Sequence, residues 1–178
     1  LADRLQEFVA YWFEKDSLID HEVLALADAW RSRTGGKVFA ATNQEHHRAA
    51  DLRDRLGLDK HFDEIIYSAA LGVCKPERVF YTNAQARMGV TAAQSILFVD
   101  DSAANVDAAR ACGWRAMLYR GPDSLKEALA RSASPERKAQ AAGWRVLKMA
   151  EPLPTGWRSM AELMAWRVRY ETSPPVVG

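Results

Sequence analysis

The sequence is poor in cysteine and has no apolar run of membrane-spanning length. Its two cysteines, Cys74 and Cys112, are too few for a disulfide framework, so a reducing, cytoplasmic setting is predicted. No window approaches the roughly 20 apolar residues that cross a bilayer, and the N-terminus lacks a signal-peptide pattern. These absences exclude a disulfide-stapled secreted scaffold and an integral membrane protein, and they predict no membrane partner.

Composition and charge indicate a folded body with an appendage. The chain has 178 residues, of which 48% are hydrophobic, a balance that suits one globular domain. Residues 131–178 contain eight Lys or Arg but only four Asp or Glu, so a basic tail follows a mildly acidic body. Because the first residue is Leu1 and not Met, we expect the chain to begin part-way through a longer protein.

Hydrophobic periodicity predicts an α/β fold. Two segments of helical spacing, within residues 1–13 and 20–30, come first. Four short apolar segments typical of strands then alternate with four segments of helical period, one of which is predicted to carry Pro76 in its first turn. The strands are predicted at residues 35–43, 63–68, 95–99 and 115–119, and the helices at 45–57, 75–89, 103–113 and 122–130. This alternation predicts a doubly wound parallel sheet with helices on both faces.

Polar residues gather where the predicted strands end. Thr42 and Asn43 end the first strand, Asp100 and Asp101 end the third, and Lys75 begins the helix after the second. Ligands collect at the carboxyl ends of such strands, so these side chains are expected on one edge of the sheet. Two adjacent carboxylates repel each other, and a neutralising cation is expected beside them.

Three segments resemble motifs of the haloacid dehalogenase superfamily. They are VFAATN, LGVCKPERVFY and ILFVDDSAANVDAA, which are similar to the second, third and fourth family motifs in members with a small helical cap, such as sugar-phosphate phosphatases and the phosphatase domain of soluble epoxide hydrolase. The resemblance implies a partial helical cap at residues 1–33 and a Rossmann-like core at 34–130. A basic C-terminal extension, predicted to be helical, occupies 131–178.

The resemblance also implies a magnesium site. The acidic pair of the fourth motif holds Mg²⁺ in the family, with Asp101 as the direct ligand and Asp100 beside it. A hard cation prefers carboxylate oxygens and would cancel their repulsion. Asn105, one helical turn beyond Asp101, is expected to steady the metal loop.

A phosphate-binding role is implied for the other two motifs. Thr42 is expected to hydrogen-bond a phosphoryl oxygen, while Asn43 shapes the turn and contacts the substrate. Lys75 is expected to neutralise charge on the phosphoryl group and on the attacking carboxylate. Thr42 and Lys75 are therefore the catalytic candidates.

The family's first motif is missing. It is an apolar strand ending in Asp-x-Asp, whose first carboxylate attacks phosphorus and whose second serves as acid and base, and no such strand occurs in the sequence. We therefore expect a sheet that lacks its central first strand and exposes apolar edges. Truncation is the favoured explanation, ahead of incomplete gene prediction and of a degenerate relative that works by binding.

These features predict, for the intact form, a Mg²⁺-dependent phosphatase that acts on a small phosphorylated metabolite through a phospho-aspartyl intermediate. Two alternatives stay open: a metal-free enzyme of the same superfamily that displaces halide, and a non-catalytic phosphate-binding or scaffold relative. A response-regulator receiver domain is disfavoured, because it needs a phospho-accepting Asp at the end of a later strand and the sequence has no Asp after Asp123.

Simpler explanations exist for most of these residues. An acidic pair after a strand also caps helices, and Thr-Asn also forms ordinary turns; the shared edge favours a site. His46 and His47 fit either substrate contact or an ordinary helix surface. In the tail, an apolar helical face is predicted to pack on the body or on a second copy, so a homo-oligomer is allowed and nucleic acid is not expected. That face comprises Trp157, Met160, Ala161, Met164 and Val168.

Overall fold

The computed structural model describes residues 2–132 and 144–147. The helices are α1 (Ala2–Lys15), α2 (His21–Thr34), α3 (His46–Asp54), α4 (Ser68–Leu71), α5 (Arg78–Met88), α6 (Ala103–Ala111) and α7 (Pro122–Ser132). The strands are β1 (Lys37–Thr42), β2 (Glu64–Tyr67), β3 (Leu97–Asp100), β4 (Arg115–Leu118) and β5 (Trp144–Leu147). Single 3₁₀ turns occur at Leu58–Lys60 and Ala93–Ser95.

The strands form one parallel sheet in the order β2-β1-β5-β3-β4. Strands β1, β2 and β4 lie within segments predicted from the sequence, β3 extends one residue past its predicted segment to Asp100, and helices separate the four strands along the chain. The predicted α/β fold with a parallel sheet is therefore confirmed. Because all strands run in one direction, the ends of β1 and β3 lie at the same edge of the sheet.

The centre of the sheet is filled by β5, from the C-terminal extension. Phe39 of β1 and Phe98 of β3 both lie opposite Val146. We predicted a helical extension and a sheet open at its centre, and at residues 144–147 both predictions were wrong. Strands β1 and β3 are buried almost throughout, so their facing N–H and C=O groups need a partner, which the backbone of β5 supplies. The helix predicted at residues 157–168 lies outside the described residues.

Two hydrophobic clusters cover the two faces of the sheet. Val38 and Ala40 belong to the cluster beneath α2, α3 and α7. Phe39 and Ala41 belong to the cluster beneath α5 and α6. This alternation along β1 is the two-residue period of a strand buried on both faces, and it leaves the edge at the strand ends for polar side chains.

Helix α2 is part of the α/β body. Its buried residues Leu24, Ala27 and Trp30 share a cluster with Leu125 and Leu129 of α7. The sequence-based boundary at residue 33 had grouped α2 with a partial cap. Helical periodicity shows which face of a helix is buried, but it does not show which element covers that face. The predicted boundary between cap and core, at residue 33, therefore lies too late in the chain.

Helix α1 is fastened to α3 by a buried arginine. The Arg48 guanidinium donates to the carbonyl oxygens of Phe13 (3.3 Å) and Asp16 (3.1 Å) and pairs with Asp51 at 2.8 Å. A cation at the last carbonyls of a helix is also favoured by the helix dipole.

Among the described residues, no helix has the length and apolar character needed to cross a membrane.

The segment before α5 differs from the prediction. We expected Pro76 in the first turn of a helix, but α5 begins at Arg78 with Glu77 as its N-cap residue. The Glu77 N–H donates to the carbonyl oxygen of Cys74 at 3.0 Å, which makes residues 74–77 a turn. The Lys75–Pro76 peptide bond is cis. Lys75 therefore lies in a turn and not on a helix.

Candidate active site

A buried ion pair joins two strands at the carboxyl edge of the sheet. Lys75 Nζ lies 2.9 Å from Asp100 Oδ2, and both side chains are 0% exposed. The same ammonium donates to the carbonyl oxygen of Ala41 at 2.7 Å. Ala41 is on β1 and Asp100 ends β3, so Lys75 bridges the two strands that flank β5. The sequence predicts a cation beside Asp100 and Asp101. For Asp100, the Lys75 ammonium is such a cation.

The second oxygen of Asp100 is held by the start of α6. Asp100 Oδ1 accepts hydrogen bonds from the Ser102 N–H at 2.9 Å and from Asn105 Nδ2 at 3.0 Å. Together with Lys75, three donors fix the orientation of this carboxylate. Asn105 was placed by the sequence one turn beyond Asp101, and its side chain contacts Asp100.

Tyr81 supports this network and was missed by the sequence analysis. Its hydroxyl donates to the carbonyl oxygen of Asn105 at 2.8 Å, and its ring packs edge-to-face on Phe98 and Trp114. Burial, and then the charge of Asp100, raise the pKa of the phenol, so Tyr81 stays protonated as a donor. Its position within the KPERVFY motif was the available signal, but a tyrosine in a helix with buried positions predicts only a core residue.

Asn43 ties the end of β1 to the turn that carries Lys75. Its Oδ1 accepts from the Lys75 main-chain N–H at 2.8 Å, and its Nδ2 donates to the Lys75 carbonyl oxygen at 3.0 Å. The network thus contains four of the six predicted site residues. They are Asn43, Lys75, Asp100 and Asn105.

The other two predicted residues lie at the borders of this network. Thr42 is buried at the end of β1 and lines a narrow cleft together with Gln44, Arg48 and residues 16–19. Asp101 is exposed directly after β3. Arg48 was not singled out from the sequence, because a charged residue within a polar helix is usually solvent-exposed.

The two histidines near the first strand have different environments. His46 Nδ1 lies 3.2 Å from the Tyr67 hydroxyl, with the rings edge-to-face, and Tyr67 is aligned with Thr42 across the sheet. His47 is exposed. His46 therefore lies beside the end of β2.

The donor set fits a partly built magnesium site. Magnesium in proteins is usually held by one or two carboxylates, with water and substrate phosphate completing the shell. Asp100 is fully buried and accepts from Lys75, Ser102 and Asn105, so Asp101 is the carboxylate of the pair that is exposed to an ion. In residues 2–132 and 144–147, no group of three or more His, Cys, Asp or Glu side chains suited to a metal occurs. The residues fit an ion completed by water and phosphate.

Comparison with protein families identifies the chain. The family model described as haloacid dehalogenase-like hydrolase matches residues 2–113. The chain belongs to the haloacid dehalogenase-like hydrolase family. The match includes the ends of β1 and β3 and the turn that carries Lys75, so the Lys75–Asp100 network is part of this hydrolase's family region. A comparison with curated proteins gives no match.

Two solved structures are similar to this hydrolase. An uncharacterized protein from Corynebacterium glutamicum ATCC 13032 Kitasato is 25% identical, with a TM-score of 0.53, over 61% of this chain and 78% of that one. A dehalogenase with an intermediate complex is 18% identical, with a TM-score of 0.51, over 82% of this chain. This chain spans only 54% of the length of that dehalogenase. At this identity the likeness to the dehalogenase shows the fold alone.

Proposed function

We propose that this hydrolase is a Mg²⁺-dependent phosphatase that acts on a small phosphorylated metabolite. The observation that carries the proposal is the buried Lys75–Asp100 pair at the carboxyl edge of the sheet. A preorganised cation beside carboxylates is suited to the negative charge of a phosphoryl group during transfer. Burial strengthens such an interaction, because water does not screen it.

The proposal gives each polar residue of the site a role. The positive charge of the buried Lys75 ammonium contributes to neutralising the phosphoryl group, and the Thr42 hydroxyl donates a hydrogen bond to a phosphoryl oxygen. Asp101, the exposed carboxylate directly after β3, would hold the magnesium ion, with Asp100 beside it. When bound, the ion supplies further charge neutralisation to the phosphoryl group. Asn105 keeps Asp100 in place while this happens.

The nucleophile is not among these residues. A phospho-aspartyl route needs a carboxylate that attacks phosphorus and a second group that exchanges the proton with the leaving oxygen. The 178 residues contain no Asp-x-Asp pair. The proposal therefore assigns substrate binding and charge neutralisation to the residues of this chain. Cleavage of the phosphate ester needs an Asp-x-Asp pair that these residues do not supply.

A metal-free haloacid dehalogenase is the second candidate. The observation that favours it is that Lys75 already neutralises Asp100 inside the protein, so this carboxylate needs no divalent cation. The exposed carboxylate of Asp101 next to it favours the phosphatase, because a metal-free halide displacement has no use for a second acidic group there. The two candidates differ in their need for Mg²⁺ and in the product released.

The test is hydrolysis of an aryl phosphate by the native protein, with any residues it carries before Leu1. We expect turnover that requires Mg²⁺ and that falls about 100-fold in Asp101→Asn, because one metal ligand loses its charge. The matched control is Asp107→Asn, an exposed carboxylate on α6 that pairs with Arg110, and it should retain wild-type activity.

Two results would contradict the proposal. Halide release from a 2-haloacid without Mg²⁺, and no phosphate release, would establish the dehalogenase. Full phosphatase activity in Asp101→Asn would remove Asp101 from the metal site.

A further inference from the structure

We infer that Asn43 is a positioning residue that holds the main chain of Lys75. Its amide binds both main-chain polar groups of one residue, with Oδ1 2.8 Å from the Lys75 nitrogen and Nδ2 3.0 Å from the Lys75 oxygen. An effect of Asn43 on phosphate binding rests on the proposed function. The contact between Asn43 and Lys75 does not depend on that function.

The Asn43 amide pairs with the main chain of Lys75 as one peptide group pairs with another in a sheet. A side-chain amide offers one acceptor and donors in the same plane, so it reproduces the pattern that a neighbouring strand would give to Lys75. Two hydrogen bonds to one residue restrict both its translation and its rotation. A single bond would leave the turn free to pivot.

Lys75 needs such support because of where it lies. Residues 72–77 lie between α4 and α5, outside any strand of the sheet. The lysine side chain is long and flexible, yet its ammonium must meet Ala41 O at 2.7 Å and Asp100 Oδ2 at 2.9 Å. Its reach is set by the position of its own Cα, which the Asn43 amide fixes.

Both ends of Lys75 are therefore held by the same strand end. Asn43, directly after β1, binds the main chain, and Ala41, near the end of β1, accepts from the ammonium. Loss of the Asn43 contact should free the ammonium from Ala41 and Asp100 even when no ligand is present. A substrate-contacting asparagine would have no such effect.

The experiment measures the Lys75 ammonium directly, by NMR of isotopically labelled protein without phosphate. In Asn43→Ala, both bonds are lost, and we expect the hydrogen exchange of the Lys75 ammonium to accelerate at least about tenfold. Asn43→Asp keeps an acceptor for the Lys75 N–H but lacks the donor, so its exchange should be intermediate. The matched control is Asn83→Ala, at an exposed position of α5, which should leave the exchange unchanged.

A titration with inorganic phosphate and Mg²⁺ separates this inference from the proposed function. Affinity about tenfold weaker in Asn43→Ala, together with faster exchange, supports both. Faster exchange in a protein that binds no phosphate even as wild type supports the positioning role and rejects the phosphatase. Wild-type exchange in Asn43→Asp and in Asn43→Ala overturns the positioning role, whatever the affinity; if Asn43→Ala does not fold, wild-type exchange in Asn43→Asp alone overturns it.

Discussion

Lys75→Met is expected to lower the free energy of unfolding by about 3–5 kcal/mol, because it leaves Asp100 buried without its cation. Both side chains are fully buried, and Lys75 Nζ is 2.9 Å from Asp100 Oδ2. The Ser102 N–H and Asn105 Nδ2 still bind the other oxygen, but two neutral donors do not balance a buried charge. Urea unfolding followed by circular dichroism measures the change.

Two variants control this experiment. Lys126→Met removes an exposed lysine whose partner, Asp123, is 4.0 Å away, and it should change stability by less than about 1 kcal/mol. The double variant Lys75→Met with Asp100→Asn should recover part of the loss, because the uncompensated charge is gone. A Lys75→Met protein as stable as Lys126→Met would show that the pair is not buried as described.

Val146→Pro is expected to cost at least about 3 kcal/mol, or to abolish cooperative unfolding. Strand β5 has a neighbour on each side, so proline removes a ladder hydrogen bond and its ring disturbs the pairing. Without β5, the sheet divides into the pairs β2-β1 and β3-β4. The matched control, Val146→Ala, keeps the main-chain N–H and should cost much less than proline.

Hydrogen exchange locates the effect of the proline. Residues 37–40 of β1 and 97–99 of β3 are in register with β5. The alternate amides there that point toward β5 should lose protection in Val146→Pro while the helices α5 and α6 retain theirs longer. Equal stability of the proline and alanine variants would mean that residues 144–147 do not complete the sheet.

Most of the body was predictable from local patterns. Strands β1 to β4 are short apolar segments bounded by turn residues, and the helices between them have clear periods and glycine ends. Strand β5 was not predictable in this way. Its four residues are too few to show a period. Its partners on β1 and β3 lie more than 40 residues away along the chain. Its place is therefore specified by the backbone N–H and C=O groups of β1 and β3 that need a partner.

The site was predictable in outline only. The rule that ligands collect at the carboxyl ends of parallel strands correctly placed Lys75 near Asp100. It did not distinguish the buried Asp100 from the exposed Asp101, since adjacent residues of a strand end point in different directions. The Asn43 contact depends on the turn at residues 74–77, whereas the sequence pattern predicts a helix that begins at residue 75.

Calorimetric titration of the protein with inorganic phosphate tests the central claim most directly, namely that the edge formed by Thr42, Lys75 and Asp101 binds a phosphoryl group together with magnesium. We predict binding that requires Mg²⁺ and that weakens about tenfold in Thr42→Val, which loses one donor, and further in Asp101→Asn. Phosphate binding that is absent with Mg²⁺, or that is unchanged in both variants, would contradict the account.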